Sequence, residues 1–166
     1  ILGNISDFDP DQDRVPFEKL HDIDKWALAS CQKLIKEVRE AYEAFEFHNI
    51  YHAIYNFCSV DMSSFYLDVL KDRLYVEKKD GVDRRAAQTA IYDILCALDL
   101  MLAPILPFTA EEIWKFIPAS KAYNGASVML NDMPEYREGL VSQEFMAKWE
   151  RIHAIRDDVN KALEDA

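Results

Sequence analysis

Leu102-Ala103-Pro104-Ile105-Leu106-Pro107-Phe108-Thr109-Ala110-Glu111-Glu112-Ile113-Trp114 joins two segments of helical character. Upstream, residues 83–103 place Ala87, Ala90, Ile91, Ile94, Leu95, Leu98, Met101 and Leu102 at spacings of three and four, the pattern of a buried helix face. Pro104 lacks a backbone N–H and biases Ala103 away from the helical region, so this helix is expected to stop there. Pro107 repeats the block. Thr109 and Glu112 stand at capping-box spacing, with Phe108 and Ile113 at the staple positions around them. A new helix is therefore expected from Ala110 to just before Pro118, carrying Trp114 as a large apolar anchor. One helix ends, the chain turns under two prolines, and a capped helix leaves in a new direction.

Outward from this junction the same period recurs. A helix over about 22–45 presents Ile23, Trp26, Ala27, Cys31, Leu34, Val38, Ala41, Tyr42 and Phe45 to one side. Asp22 and Asp24 sit at its positive N-terminal end. A second, about 47–60, turns Phe47, Ile50, Tyr51, Ile54, Phe57 and Cys58 inward. Asp61-Met62-Ser63-Ser64 reads as a cap and restart, opening a third helix to Tyr75. A last helix, about 142–164, has Phe145, Trp149, Ile152, Ile155, Val159 and Leu163 inward. Residues 1–20 form an opening loop rich in Asp and Pro, pinned by Phe8, Val15 and Phe17. Residues 119–140 lack a helical period and hold a short strand at 127–130. With only 4 Gly and half its residues hydrophobic, the 166-residue chain is expected to be one all-α domain, an antiparallel helix bundle.

The ends add an expectation. Ile1-Leu2-Gly3 lacks an initiator Met and resembles the last turn of a helix, while the chain stops inside a helical pattern. Both suggest a piece of a longer protein. No run of apolar residues is long enough for a membrane span, and no secretory leader is visible. Cys31, Cys58 and Cys96 are too few and too scattered for a disulfide framework or a metal pair. They read as small buried hydrophobes in a reducing compartment.

Chemistry is sparse. There is no Gly-rich phosphate loop, no nucleophile elbow and no zinc motif. His48 and His52 stand at i and i+4 without a further ligand, and read as solvated. Glu111-Glu112 and Asp157-Asp158 are adjacent pairs that point about 100° apart on a helix and cannot share a substrate atom. Thirty acids against 19 bases give −11, which opposes nucleic-acid binding unless a local basic patch exists. One candidate patch does. Lys71, Arg73, Lys78, Lys79, Arg84 and Arg85 are six bases among four acids (Asp72, Glu77, Asp80, Asp83), a local +2. Tyr75 lies within it as a surface on which a base can stack. Those seven residues are the candidate RNA contacts. The alternative is that these bases pair with nearby acids and merely solubilise a helix–turn–helix junction.

The run Phe57-Cys58-Ser59-Val60-Asp61-Met62-Ser63-Ser64-Phe65-Tyr66-Leu67-Asp68-Val69-Leu70-Lys71-Asp72-Arg73-Leu74-Tyr75 resembles a signature of isoleucyl-tRNA synthetases. Met62 stands where Leu is more usual. Arg84-Arg85-Ala86-Ala87-Gln88-Thr89, the stretch ending Glu111-Glu112-Ile113-Trp114, and Leu2-Gly3-Asn4 with Asp7-Phe8 are similar to the same family. The resemblance covers nearly the whole chain. It implies the helical anticodon-binding domain of a class I synthetase. Valyl- and leucyl-tRNA synthetases share that fold and a looser Pro–Glu–Glu–Trp pattern. The family's ATP-site motifs and editing domain lie upstream of this domain, and its C-terminal region, often with a zinc site, lies beyond it. The implied parent is a cytoplasmic enzyme that uses ATP and magnesium to charge isoleucine tRNA. Its partners would be that tRNA and the catalytic and C-terminal domains of the same chain. The competing class is a helical protein-interaction module whose grooves take a partner helix.

Overall fold

A computed structural model describes residues 2–165. They fall into two compact units, the first ending at Tyr136 and the second beginning at Arg137. The elements of the first are α1 (Asp22–Glu43), α2 (Phe47–Asn56), a π-helical segment (Phe57–Tyr66), α3 (Leu67–Val69), α4 (Lys71–Tyr75), α5 (Val82–Leu102) and α6 (Pro107–Trp114). Short 3₁₀ turns lie at Leu2–Asn4, Phe17–Lys19 and Val128–Leu130. The second unit holds α7 (Gln143–Glu164), whose first turn is capped by Ser142 Oγ accepting the Phe145 N–H at 3.1 Å. The chain's regular structure is helical, with no strand among the described residues.

The core is built around α5. From Ala86 to Met101 every residue but Asp93 is buried, so this helix is enclosed on nearly all sides. It packs against α1, α4 and α6. From α1 come Trp26, Ala27, Cys31, Leu34, Ile35, Val38 and Ala41. A short turn folds α2 back against α1, burying Ile50, Ala53 and Ile54. Burial pushes the thiols of Cys31 and Cys96 up to about 12 and raises that of Cys58, and all three are unpaired. The opening loop lies on this core. Phe8 is buried 5.7 Å from the Tyr92 ring, the Val15 N–H donates to Thr89 Oγ1, and Arg14 forks onto Asp93.

The structure departs from the sequence reading in several places, each with a physical cause. The capping box is not formed. Pro107 occupies the first turn of α6 and Leu106 the N-cap, so the helix begins before Thr109. Proline suits that position because its missing N–H has no intrahelical partner there. Phe108 is accordingly 91% exposed rather than stapled. Ala103 stays helical at φ −51°, ψ −41°, and Ile105 and Leu106 N–H both donate to Leu102 O, so the chain leaves α5 through a continuing turn. Trp114 is buried as expected, with its Nε1–H donating to Asn124 O at 3.1 Å.

The expected break at 61–64 is absent. Helical winding continues through 57–66 with a wider turn. Phe57, Met62 and Tyr66 are buried at steps of five and four, which the looser π repeat brings to one side. Ser59 and Ser64 donate to the carbonyls of Tyr55 and Val60, and so bond along the helix rather than capping a new one. Residues 127–130 form a 3₁₀ turn, not a strand. Ser127 Oγ accepts the Met129 N–H there and donates to Glu111, tying the turn to α6. Leu2–Asn4 form a 3₁₀ turn, and Ile1, with which the reading of a helix end began, lies outside the described residues. Within the second unit Trp149 is buried, but Ile155, Val159 and Leu163 are exposed. That unit has no second helix among its described residues to cover the stripe. Finally, Phe45, Phe47 and Tyr51, expected inward, are all exposed.

Candidate nucleic-acid interface

The six bases and Tyr75 singled out above lie on α4, the turn after it, and the first turn of α5. The 76–81 connection is closed by Gly81 N–H donating to Lys78 O at 2.9 Å. The structure sorts the seven residues into two groups.

Arg73, Arg84 and Arg85 are turned into the fold. Arg73 forks onto Asp24, with Nη1 and Nη2 at 3.0 and 2.8 Å from its two carboxylate oxygens. Asp24 is completely buried and also accepts the Tyr66 hydroxyl at 2.9 Å. Burial, with the Asp24 charge beside it, raises the Tyr66 hydroxyl well above its ordinary range. Arg73 donates in addition to Asp83 O, fastening α4 to the start of α5. Arg84 forks onto Asp7 at 2.7 and 3.0 Å and donates to Leu74 O and Lys79 O. Arg85 donates to Asp7 O and Gln88, and pairs with Asp13 at 3.2 Å. Gln88, itself buried, returns its amide to Asn4 O and Asp7. The hydrogen bond from Arg84 holds the Asp7 carboxyl down at about 2. Forked arginine–carboxylate pairs of this kind fix geometry as well as charge.

The acids that neutralise these arginines are distant in sequence. Asp24 lies 49 residues from Arg73, and Asp7 lies 77 from Arg84. A local charge count cannot include them. One sequence signal does mark Asp24. It precedes Ala27 and Cys31 by three and seven residues, and therefore shares their inward stripe.

Tyr75, Lys78 and Lys79 form the other group, all exposed on the turn and its approach. Neither lysine ammonium makes a hydrogen bond or ion pair among the described residues. Lys71 is also exposed but pairs with Asp68 at 2.6 Å, and the hydrogen bond it donates to Asp68 raises its pKa. The turn therefore offers two exposed cations and one exposed ring. It is bounded by Asp72, Glu77 and Asp80, which are exposed as well. This suffices for a few phosphate contacts and not for a broad electrostatic track. No group of three or more His, Cys, Asp or Glu side chains among the described residues is placed to hold a metal ion. No described helix is long and apolar enough to cross a membrane.

Residues 24–166 match the family model described as the anticodon-binding domain of tRNA ligase. The chain belongs to that family. Curated relatives include the isoleucine–tRNA ligases of Petrotoga mobilis, 48% identical over 99% of this chain, and Brevibacillus brevis, 48% identical over 100% of this chain. That of Desulforamulus reducens is 49% identical, again over the whole chain. In each case the chain spans 18% of the relative's length. In this domain Arg73, Arg84 and Arg85 are internal fasteners, and the outward-facing residues of the same stretch are Lys71, Tyr75, Lys78 and Lys79.

Proposed function

We propose that this chain is the anticodon-arm-binding domain of an isoleucine–tRNA ligase, the cytoplasmic enzyme that joins isoleucine to its tRNA with ATP. The observation that carries this is the end-to-end identity with isoleucine–tRNA ligases, at close to half of all positions. The domain's part is positional. It holds the anticodon arm, with phosphate contacts setting register and unstacked loop bases giving discrimination.

ATP and magnesium belong to the parent activity. The residues here do not fit them, since the sequence has no Gly-rich phosphate loop and the described acids form no metal-binding group. No chemical step is assigned to this chain, and an ATP–pyrophosphate exchange assay on it with isoleucine should remain at background.

In this reading Lys78 and Lys79 meet phosphate, Tyr75 lies beside them, Lys71 joins at the edge, and Arg73, Arg84 and Arg85 hold the turn in shape. A gel-shift titration with an isoleucine-tRNA anticodon stem-loop tests it. Binding should be micromolar or weaker, as for an interface of a few ion pairs, and should fall with salt. Reversing Lys78 and Lys79 to Glu should weaken it further without unfolding the domain. The same reversal at Lys33 and Lys36, exposed on α1, should do little. Equal loss from both pairs would show that the assignment of the turn is wrong. Salt-insensitive binding would favour apolar docking of a protein partner instead.

A further inference from the structure

One helix breaks the usual partition of apolar residues. On α2 the aliphatic side chains Ile50, Ala53 and Ile54 are buried, while the aromatic ones face solvent. Phe47, Tyr51 and Tyr55 are 51, 61 and 57% exposed. They recur every four residues and so form one stripe, about 6 Å apart along the axis. The Tyr51 and Tyr55 rings are stacked, 5.9 Å between centroids and 26° apart in plane. Phe45, 78% exposed, extends the row with its ring 6.4 Å from that of Phe47.

Phe45 gives a second, independent observation. It holds φ of 57°, the sole non-glycine residue with positive φ among those described. The Glu46 N–H bonds to Ala41 O and the Phe45 N–H to Tyr42 O, a Schellman ending for α1. Glycine suits that position best, and a β-carbon there is strained. A strained backbone that holds a large ring out in water is not explained by stability. Strain of that sort gathers at sites with another use.

The charge around the stripe indicates what it takes. The chain carries −11, yet α2, FHNIYHAIYN, is the one α-helix among the described residues with no Asp or Glu. It presents His48, His52 and Asn56 beside the rings. Of the two acids at its N-terminal end, Glu46 is engaged by the Asn49 amide at 2.6 Å, and Glu43 is exposed. Past its N-terminal end the helix offers flat rings with neither cations to grip phosphate nor acids to repel it, a surface that suits neutral nucleobases. On α2 itself no aliphatic side chain is exposed, so contact here is made through ring faces.

We propose that Phe45, Phe47, Tyr51 and Tyr55 form a stacking platform for unpaired nucleobases of the bound RNA. This rests on the RNA-binding reading above and deepens it. The lysines of the 76–81 turn supply phosphate contact, and the rings of α2 supply base contact that tolerates any sequence, because every base has a flat face.

The test uses the whole chain and two fluorescent probes. One is an isoleucine-tRNA anticodon stem-loop, and the other is the same stem with abasic loop positions. Y51L and Y55L keep apolar bulk and remove the ring. Each should weaken binding to the intact loop roughly fivefold or more, the usual worth of a stacked base, and leave binding to the abasic loop unchanged. Phe45→Gly should melt at or above the parent's temperature while also binding the intact loop more weakly, which separates recognition from folding. Intact-loop binding unaltered in Y51L and Y55L overturns the platform, as does equal affinity of the parent for both probes. A self-associated chain that the leucine variants dissociate, with RNA binding undiminished, would show that the rings meet protein, and equally overturns it. Absence of any binding to the intact stem-loop would instead sink the RNA-binding reading itself, and the platform with it.

Discussion

Asp24 shows how much one side chain can organise. It is wholly buried, and its side-chain partners among the described residues are Arg73 and Tyr66. Removing one partner of such a pair leaves the other desolvated and unanswered. Asp24→Ala is therefore expected to cost about 3–5 kcal/mol in a urea melt. A loss under about 1 kcal/mol would show that Arg73 escapes to water and that the pair is not a fastener. Asp7 behaves differently with pH. Its folded value of about 2 lies below the ordinary 3.8, so its contribution is complete above the unfolded value and is lost as pH falls from there towards 2. Asp99 has the opposite sign. It is buried on α5, with neither carboxylate oxygen hydrogen-bonded among the described residues. Burial first, and the nearby Glu111 second, raise it to about 7. Between the unfolded value and 7 the unfolded chain ionises while the folded one keeps its proton, so stability declines as pH rises, by at most about 1.4 kcal/mol per unit. Asp99→Asn should flatten that slope between pH 4 and 7, and an unchanged slope would mean that another group carries it.

Among the elements, the two prolines give the sharpest contrast. Trp114 sits in the core and Thr109 stands exposed on the first turn of α6. Trp114→Ala should cost about 3–5 kcal/mol by lost burial and cavity formation. Thr109→Ala should fall within about 0.5 kcal/mol, as an exposed change away from special features does. Similar losses from both would mean that Thr109 caps the helix after all. The helices at 22–43 and 82–102 were legible because long apolar stripes at a spacing of three and four determine both their existence and their inward face. The π segment was not, because Asp61-Met62-Ser63-Ser64 carries capping-type residues, while here the helix continues through them and Ser64 bonds back along it. Helix α2 was legible as a helix but not in its orientation. Residues 47, 51 and 55 form one stripe and 50, 54 and 57 the next. Both are apolar, so hydrophobicity alone does not say which meets the core. The chemical difference, rings on one and mostly aliphatic groups on the other, was the available signal.

For the molecule as a whole, family membership and helical class were readable from motif runs spread over nearly the full chain. The distribution of charge was not. The sequence shows −11 with one locally basic stretch, and the fold cancels most of that stretch with Asp7, Asp13 and Asp24, which lie far off in sequence. Sequence order places Arg73, Arg84 and Arg85 beside Lys78 and Lys79 as if equivalent. Burial makes the arginines structural and leaves the lysines facing water. The resulting domain has little attraction for nucleic acid at long range and is suited to short-range contact with an arm delivered to it. The most direct measurement is filter binding of isoleucine-accepting tRNA, intact and with its anticodon arm deleted, at low salt. Binding of the intact tRNA that disappears when the arm is removed is the result expected. Equal affinity for the two would contradict the account.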